Sequence, residues 1–196
     1  MYYKLKMIIS IMSKFQILEK VKMHLRRMYR ITRSFEKQEE LVWNDLKKFH
    51  ASNNWKSGVF ERDKYIEVVF RLNAERPLTF YYMINDKYRC KVKVLENFPE
   101  ELTTDIFILA THLNNMLENG IVVVNVNSRC VEYSQNLDAV IPLLYNYYIY
   151  GILLQHFNLS KKIYFAFERL VTEQEAPAII IADLLKKNDD RVEKPE

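Results

Sequence analysis

Glycine and cysteine are scarce in this chain. Its 196 residues include three scattered glycines, so there is no glycine-rich loop of the kind that binds nucleotide phosphates. Cys90 and Cys130 fall in predicted strands, where a free cysteine packs as a small apolar residue, and two cysteines do not make a disulfide framework. The lack of a glycine-rich loop argues against nucleotide-dependent catalysis. The lack of a disulfide framework predicts a reducing, cytoplasmic location.

Long apolar runs are also missing. The apolar stretch at residues 1–12 is shorter than the apolar part of most signal peptides and lacks a small-residue cleavage site. It is also well below the roughly 20 residues of a membrane span. We therefore expect neither a signal peptide nor a transmembrane segment. Met12 is a second candidate for the start of translation, and the sequence leaves the choice between Met1 and Met12 open.

Side chains spaced for catalysis or metal binding are lacking as well. The four histidines fall in four different predicted helices without metal-ligand spacing, at His24, His50, His112 and His156. Cys130 follows the helix that carries His112, which permits a thiol–imidazole pair, but a buried structural cysteine is the simpler interpretation. We predict no catalytic residue, no metal site and no cofactor, and hence that the chain is not an enzyme.

Positive charge is concentrated near the N-terminus. The net charge is +4, yet residues 1–50 hold 12 Lys/Arg against 5 Asp/Glu, a balance of +7, and the remainder holds 17 against 20, a balance of −3. From Lys14 to Arg33 apolar residues follow helical 3,4 spacing, which predicts a basic amphipathic helix. Its basic residues are Lys20, Lys22, Arg26, Arg27, Arg30 and Arg33. They can form the solvated side of a docked helix, contact a protein or membrane surface, or bind nucleic acid.

Alternating apolar residues predict an antiparallel sheet. Residues 64–72, 78–84 and 88–94 alternate as three strands of a meander, with a turn at Asn85-Asp86 and a weaker strand signal at residues 56–61. Residues 121–126 and 129–134 form a second predicted hairpin.

Helical patterns surround these strands. We expect helices from Ser34 to His50, from Phe98 towards Gly120, from Asp138 to Phe157, after Ser160, and from Pro177 to Lys187. The predicted fold is α+β, a mainly antiparallel sheet of five or six strands with helices on one face. Its predicted parts are a basic helical arm (1–33), one α+β domain (34–188) and a flexible charged tail (189–196).

Two groups of aromatic residues suggest binding surfaces. Tyr145, Tyr147 and Tyr148 crowd into one predicted helix, and tyrosine combines a large apolar area with a polar tip, so we expect a homodimer through this helix. Tyr81 and Met83 lie on the opposite face of their strand from its core residues and predict a partner-binding face. Nearby Arg89, Lys91 and Lys93 also permit a platform for single-stranded nucleic acid.

The segment from Asp105 to Tyr133 carries a family resemblance. Its Asn-containing helix, with Asn114-Asn115, precedes a hairpin and then a long helical run, and this order resembles the centre of YbjN-type domains over residues 35–155. Those domains resemble class I type III secretion chaperones in fold. The resemblance implies a non-enzymatic, often dimeric bacterial protein that binds other polypeptides. Secretion chaperones are typically acidic, so the resemblance does not account for the basic arm.

Two functions follow as expectations. The first is a protein-interaction module, chaperone-like or regulatory, that binds a polypeptide partner by burial of apolar side chains. The alternative is a nucleic-acid-binding regulator that uses the basic arm. The two differ in their response to salt, because phosphate contacts weaken steeply as salt concentration rises.

Overall fold

The structure, a computed structural model, describes residues 2–72, 77–84, 87–145 and 148–189, with side chains described between Gln16 and Lys186. The helices are α1 (Tyr2–Ile31), α2 (Phe35–Ser52), α3 (Thr103–Met116), α4 (Val140–Leu144), α5 (Tyr148–Thr172) and α6 (Pro177–Asp189). The strands are β1 (Ser57–Phe60), β2 (Tyr65–Arg71), β3 (Pro77–Ile84), β4 (Lys87–Leu95), β5 (Ile121–Asn125) and β6 (Cys130–Asp138). One turn of 3-10 helix, Glu100–Leu102, precedes α3.

The six strands form one antiparallel sheet in the order β1-β2-β3-β4-β6-β5. The first four make a meander. The hairpin β5–β6 is added at its edge, with β6 next to β4. This confirms the predicted α+β class, the mainly antiparallel sheet of five or six strands, which has six, and the division into meander plus hairpin.

One face of the sheet carries the core. Every second residue of β3 and β4 is buried, because alternate side chains of a strand point to opposite faces. Helices α2, α3 and α5 pack against the strands from this side, and α6 packs on α3 and α5. The largest fully buried side chains include Phe80, Tyr82, Tyr88, Tyr133 and Phe167. The other face, which we call the open face, carries half-buried and exposed side chains.

The end of α3 is tied to β5 by a side chain of the Asn114-Asn115 pair. The Asn114 Nδ2 donates to the Val122 carbonyl at 3.0 Å, and the Val122 N–H donates to the Asn114 Oδ1 at 2.7 Å. Gly120 then turns the chain with φ +87°, where a Cβ would lie 2.7 Å from the Tyr133 ring. The helix therefore ends at Met116, before the glycine at which we expected it to stop.

The predicted helix from Asp138 to Phe157 is not one continuous helix, because α4 and α5 divide its span between them. Strand β6 continues to Asp138, and the Asp138 Oδ1 accepts a hydrogen bond from the Val140 N–H at 2.9 Å at the start of the short α4. The helical path is interrupted at Tyr145, whose φ of −133° and ψ of 71° are not helical, and α5 starts at Tyr148. The tyrosine-rich segment therefore includes a break between two helices.

Ser160 does not cap a new helix, as we had expected from its position. It lies inside α5, and its Oγ donates to the His156 carbonyl at 2.7 Å. A buried serine can be accommodated within a helix in this way, because the preceding turn supplies the acceptor. The Asn85-Asp86 turn, Tyr147 and residues 190–196 of the predicted tail lie outside the described residues.

Candidate interaction surfaces

One side of α1, which carries Arg30, faces the rest of the protein. The Arg30 Nη2 lies 2.7 Å from the Asp45 Oδ2 of α2, and both side chains are nearly buried. The Arg26 Nη2 lies 3.9 Å from the other oxygen of the same carboxylate. Helix α1 contacts α2 and α4. An ion pair therefore joins the end of α1 to α2.

A second contact joins α1 to the tyrosine-rich segment. The Arg27 guanidinium carbon lies 4.4 Å above the centre of the Tyr145 ring, which is a cation–π arrangement. The rings of Tyr145 and Tyr148 meet edge to face at 5.8 Å. The structure thus brings together two sets of predicted site residues, the basic arm and the tyrosines, within one chain. Tyr148 is exposed, whereas Tyr145 is partly covered by Arg27.

The apolar side of α1 faces solvent. Leu18, Val21, Leu25 and Met28 are 50 to 62% exposed, and we call these four residues the outward stripe. With 3.6 residues per turn, the outward stripe lies on roughly the opposite side of the helix from Arg27 and Arg30. A surface helix ordinarily turns its apolar side to the core and its charges to water. Helix α1 has the reverse orientation.

The remaining cations of the basic arm have varied environments. Lys22 pairs with Glu19 at 3.7 Å, both exposed, and the Arg33 guanidinium lies 3.9 Å from the centre of the Tyr29 ring. Lys20 is exposed. Arg30 faces Asp45 and not solvent, so in this arrangement its guanidinium does not reach an external phosphate. The arm therefore presents fewer accessible cations than its sequence suggests.

Tyr81 and Met83 lie on the open face of the sheet and are half-buried. Tyr65 stacks on Phe60 at 4.2 Å and lies 6.4 Å from Tyr81 between ring centres, so an aromatic row crosses the first three strands. Partial burial raises the pKa of the Tyr81 hydroxyl, and the carboxylate of Glu67 adds to this shift. The open face is therefore an aromatic surface that lies apart from the contact between α1 and the tyrosine-rich segment.

Two lysines of the open face are paired with carboxylates. Lys91 lies 3.0 Å from Glu132, and Lys93 lies 3.4 Å from Glu96. Such pairing reduces the positive field that a nucleic-acid backbone requires. The pairing of β3 with β4 ends at Phe80 and Val92, although both strands continue beyond this pair. The two strands therefore separate beside Lys93. A cavity of about 310 Å³ opens there, lined by Thr79, Tyr81, Lys93, Glu96 and Tyr164 among others.

The covered face of the sheet holds polar groups that the sequence analysis did not single out. Tyr82, Cys90 and Gln135 are register partners in one row across β3, β4 and β6, and all three are buried. The Tyr82 hydroxyl and the Gln135 Oε1 have no hydrogen-bond partner among the residues that the structure describes. The alternation of the strands could have revealed this row, because it assigns Tyr82 and Cys90 to the apolar face.

Two histidines cover this polar row. His156 of α5 is fully buried and stacks on Tyr133 at 4.9 Å, and His50 of α2 lies 5.5 Å from Tyr82 between ring centres. Burial lowers the pKa of His156 to about 3 and that of His50 to about 4. Burial also raises the pKa of the Cys90 thiol to about 12, partly opposed by the Tyr88 hydroxyl. These groups are neutral near pH 7 and form a structural cluster without an activated nucleophile.

The pair of Cys130 and His112 has no support in the geometry. His112 is exposed on α3, and the Cys130 sulfur lies 3.1 Å from the Ser128 Oγ. Within the described ranges, no three histidine, cysteine or acidic side chains are grouped to hold a metal ion. None of the helices described is long and apolar enough to cross a membrane. Comparisons with protein-family models, with curated proteins and with solved structures found no match to this chain.

Proposed function

We propose that this chain is a protein-interaction module and that it binds a polypeptide partner through the outward stripe of α1. One observation carries this proposal. Helix α1 is docked by Arg27 and Arg30, and this docking directs Leu18, Val21, Leu25 and Met28 into solvent. A row of apolar side chains held outward by charged contacts is suited to burial against a second polypeptide.

The energy available from such burial is large enough for binding. Burying one aliphatic side chain of this size stabilises a complex by about 1.5–3 kcal/mol, so four of them supply several kilocalories per mole before the entropy of association is subtracted. The stripe residues contribute little to the fold of the isolated chain because they are exposed. Their apolar character is thus available for a partner.

The resemblance to YbjN-type domains agrees with this function, because it implies a non-enzymatic protein that binds polypeptides. It remains a proposal, as does a cytoplasmic location. The nucleic-acid alternative has less support, since Arg30 is paired with Asp45 and the lysines of the open face are paired with glutamates. Tyr81 and Met83 offer a second surface for a polypeptide on the open face.

The test is capture of partners by the tagged full-length chain from its native lysate, at low and moderate salt and with and without nuclease. We expect proteins retained through both treatments, and we expect Leu18→Asp/Leu25→Asp to lose them. Ile179→Asp on α6 is the matched control, because Ile179 is also an exposed apolar residue on a helix.

Two other results would contradict the proposal. Loss of every partner to nuclease or to moderate salt would assign the function to nucleic acid. Loss of partners in Tyr81→Ala/Met83→Ala, with retention in the stripe variant, would place polypeptide binding on the open face and not on α1.

A further inference from the structure

We infer that the polypeptide bound by the outward stripe is a second copy of this chain, and that the two α1 helices pair antiparallel. This inference rests on the proposed function and names the partner. It differs from the dimer expected from the sequence, which used the tyrosine-rich helix. In the structure Tyr145 of that segment is already in contact with Arg27 of the same chain.

The spacing of the stripe is that of a coiled coil. Leu18, Val21, Leu25 and Met28 are separated by three, four and three residues, which is the alternation of positions a and d in a heptad. In the sequence the same spacing reaches Lys14 on one side and Thr32 on the other. A polar residue therefore follows the four stripe residues at each end, and beyond Lys14 the same spacing returns to apolar residues at Ile11 and Met7.

An antiparallel copy matches this seam residue by residue. A two-fold axis near residue 23 places Leu18 opposite Met28 of the partner subunit and Val21 opposite Leu25 of the partner subunit. In each pair the two residues lie equally far from residue 23, on opposite sides of it. The same axis places Lys14 near Thr32 of the partner subunit. A parallel pair in register would instead bring the two Lys14 residues together. A two-fold interface permits either direction, and the antiparallel one avoids this contact between like charges.

The residues beside the seam also fit a second copy. Ile17 and Ile31 flank the stripe and are exposed, and the antiparallel arrangement brings them together across the interface. A partner helix rich in acidic residues would be selected by cations along the flanks. Of the flanking residues only Lys22 carries a full charge, and Glu19 lies 3.7 Å from it. Lys22 meets its own copy across the axis, and Glu19 offsets that repulsion.

The two docked arginines do not oppose self-association. Arg27 and Arg30 lie on the far side of α1, where they contact Tyr145 and Asp45. A helix with its side chains is about 10–12 Å across. This distance exceeds the Debye length of about 8 Å at physiological ionic strength, so their repulsion between two copies is largely screened. The docking side of α1 is also opposite the seam, so the two protein bodies lie outside the paired helices.

The first test is the mass of the purified full-length chain in solution across a range of concentrations. We expect a monomer–dimer equilibrium, with Leu18→Asp/Leu25→Asp weakening dimerisation at least a hundredfold and Ile179→Asp leaving it unchanged. A chain that stays monomeric at about 100 µM would overturn the inference. So would a dimer that persists in the stripe variant. If the unmodified chain is monomeric but captures partners that the Leu18→Asp/Leu25→Asp variant loses, the proposed function stands and only the identity of the partner is wrong.

The second test addresses direction and does not depend on a charged substitution in the seam. In a Cys130→Ser background, Val21→Cys and Leu25→Cys variants are mixed and oxidised. The antiparallel seam predicts faster formation of the mixed disulfide than of either homodisulfide. Equal or faster formation of the homodisulfides would overturn the antiparallel arrangement. Far-ultraviolet circular dichroism of each variant verifies that the fold is retained.

Discussion

Helices α1 and α5 are both amphipathic, yet they place their charges and apolar residues in opposite ways. Helix α5 buries a continuous apolar side that includes Ile152, Ile163 and Phe167 against the sheet. Helix α1 buries Arg30 and exposes Leu25. The difference lies in what each helix meets. The sheet offers α5 an apolar face, whereas α2 and the tyrosine-rich segment offer α1 a carboxylate and an aromatic ring.

This comparison shows that amphipathic spacing predicts a helix but not the direction in which it faces. A buried arginine is tolerated where a carboxylate neutralises it, and exposed leucines are tolerated where they meet a second helix. The apolar side of α5 stabilises the fold, and we propose that the apolar side of α1 stabilises an assembly.

Acid should have the largest effect on stability, through the buried histidines His50 of α2 and His156 of α5. The unfolded chain takes up protons on His50 and His156 as pH falls below about 6.5, whereas the folded protein resists until about pH 4 for His50 and about pH 3 for His156. The free energy of unfolding is therefore highest above pH 6.5 and falls between pH 6.5 and about 3. The loss is roughly 3 kcal/mol for His50 and more for His156.

Urea unfolding measured at intervals from pH 7.5 to pH 4 tests this expectation. His156→Phe removes the titrating group while keeping an aromatic ring, and should flatten the pH dependence. His112→Gln is the matched control, because it replaces a histidine that is exposed on α3. If the unmodified chain, His156→Phe and His112→Gln have the same pH dependence of unfolding free energy, that dependence does not come from the buried His156 ring.

Truncation of a core residue of α5 should have the next largest effect. Phe167 is fully buried, and Phe167→Ala leaves a cavity that costs about 3–5 kcal/mol of unfolding free energy. Leu25→Ala on α1 should change the stability of the monomer by less than about 0.5 kcal/mol, because Leu25 is exposed. Chemical denaturation of both variants at a concentration that favours the monomer measures the contrast. Similar losses in the two variants would show that α1 is buried in solution.

The ion pair between Arg30 and Asp45 should account for most of the docking of α1. Asp45→Asn leaves the Arg30 guanidinium beside a neutral group in a nearly buried position, at a cost of about 3 kcal/mol or less. The cost is limited because α1 can leave the surface and expose the arginine to water. Hydrogen exchange should accelerate in residues 16–31 and stay slow in α5. Unchanged protection of residues 16–31 would show that the ion pair does not hold α1.

The contact between Arg27 and Tyr145 should have the smallest effect. Tyr145→Ala removes the ring beneath the guanidinium and should cost about 0.5–1 kcal/mol, whereas Tyr145→Phe keeps a ring face and should cost less. A double-mutant cycle with Arg27→Ala isolates this interaction from the packing of the ring. A coupling energy near zero would assign the docking of α1 to Asp45 alone.

Local patterns were sufficient to predict most of the sheet. The alternation in β2, β3 and β4 and the positions of their ends follow from side-chain polarity alone, because each strand has one covered face and one open face. The covered polar row was missed because an alternation pattern treats Tyr82 and Cys90 as ordinary apolar residues. The histidines that cover this row, His50 and His156, come from α2 and α5, which are distant in sequence from the strands of the row.

Helix boundaries between Asp138 and Thr172 were harder to predict. Apolar residues surround the segment on nearly all sides, so it has no clear periodic signal at Tyr145 to indicate a break. The path of the chain there depends on the docking of α4 against β6 and on the contact of Tyr145 with Arg27. The contact with Arg27 joins residues more than a hundred positions apart in the chain, and local spacing does not encode it.

The sequence by itself determined that this protein has an antiparallel sheet covered by helices and a basic amphipathic helix at its N-terminus. Strand alternation and helical spacing are local properties, and burial of one face enforces them. Only the tertiary structure decided which side of α1 faces outward. That choice depended on a carboxylate at position 45 and a tyrosine ring at position 145, which lie together in space but not in sequence.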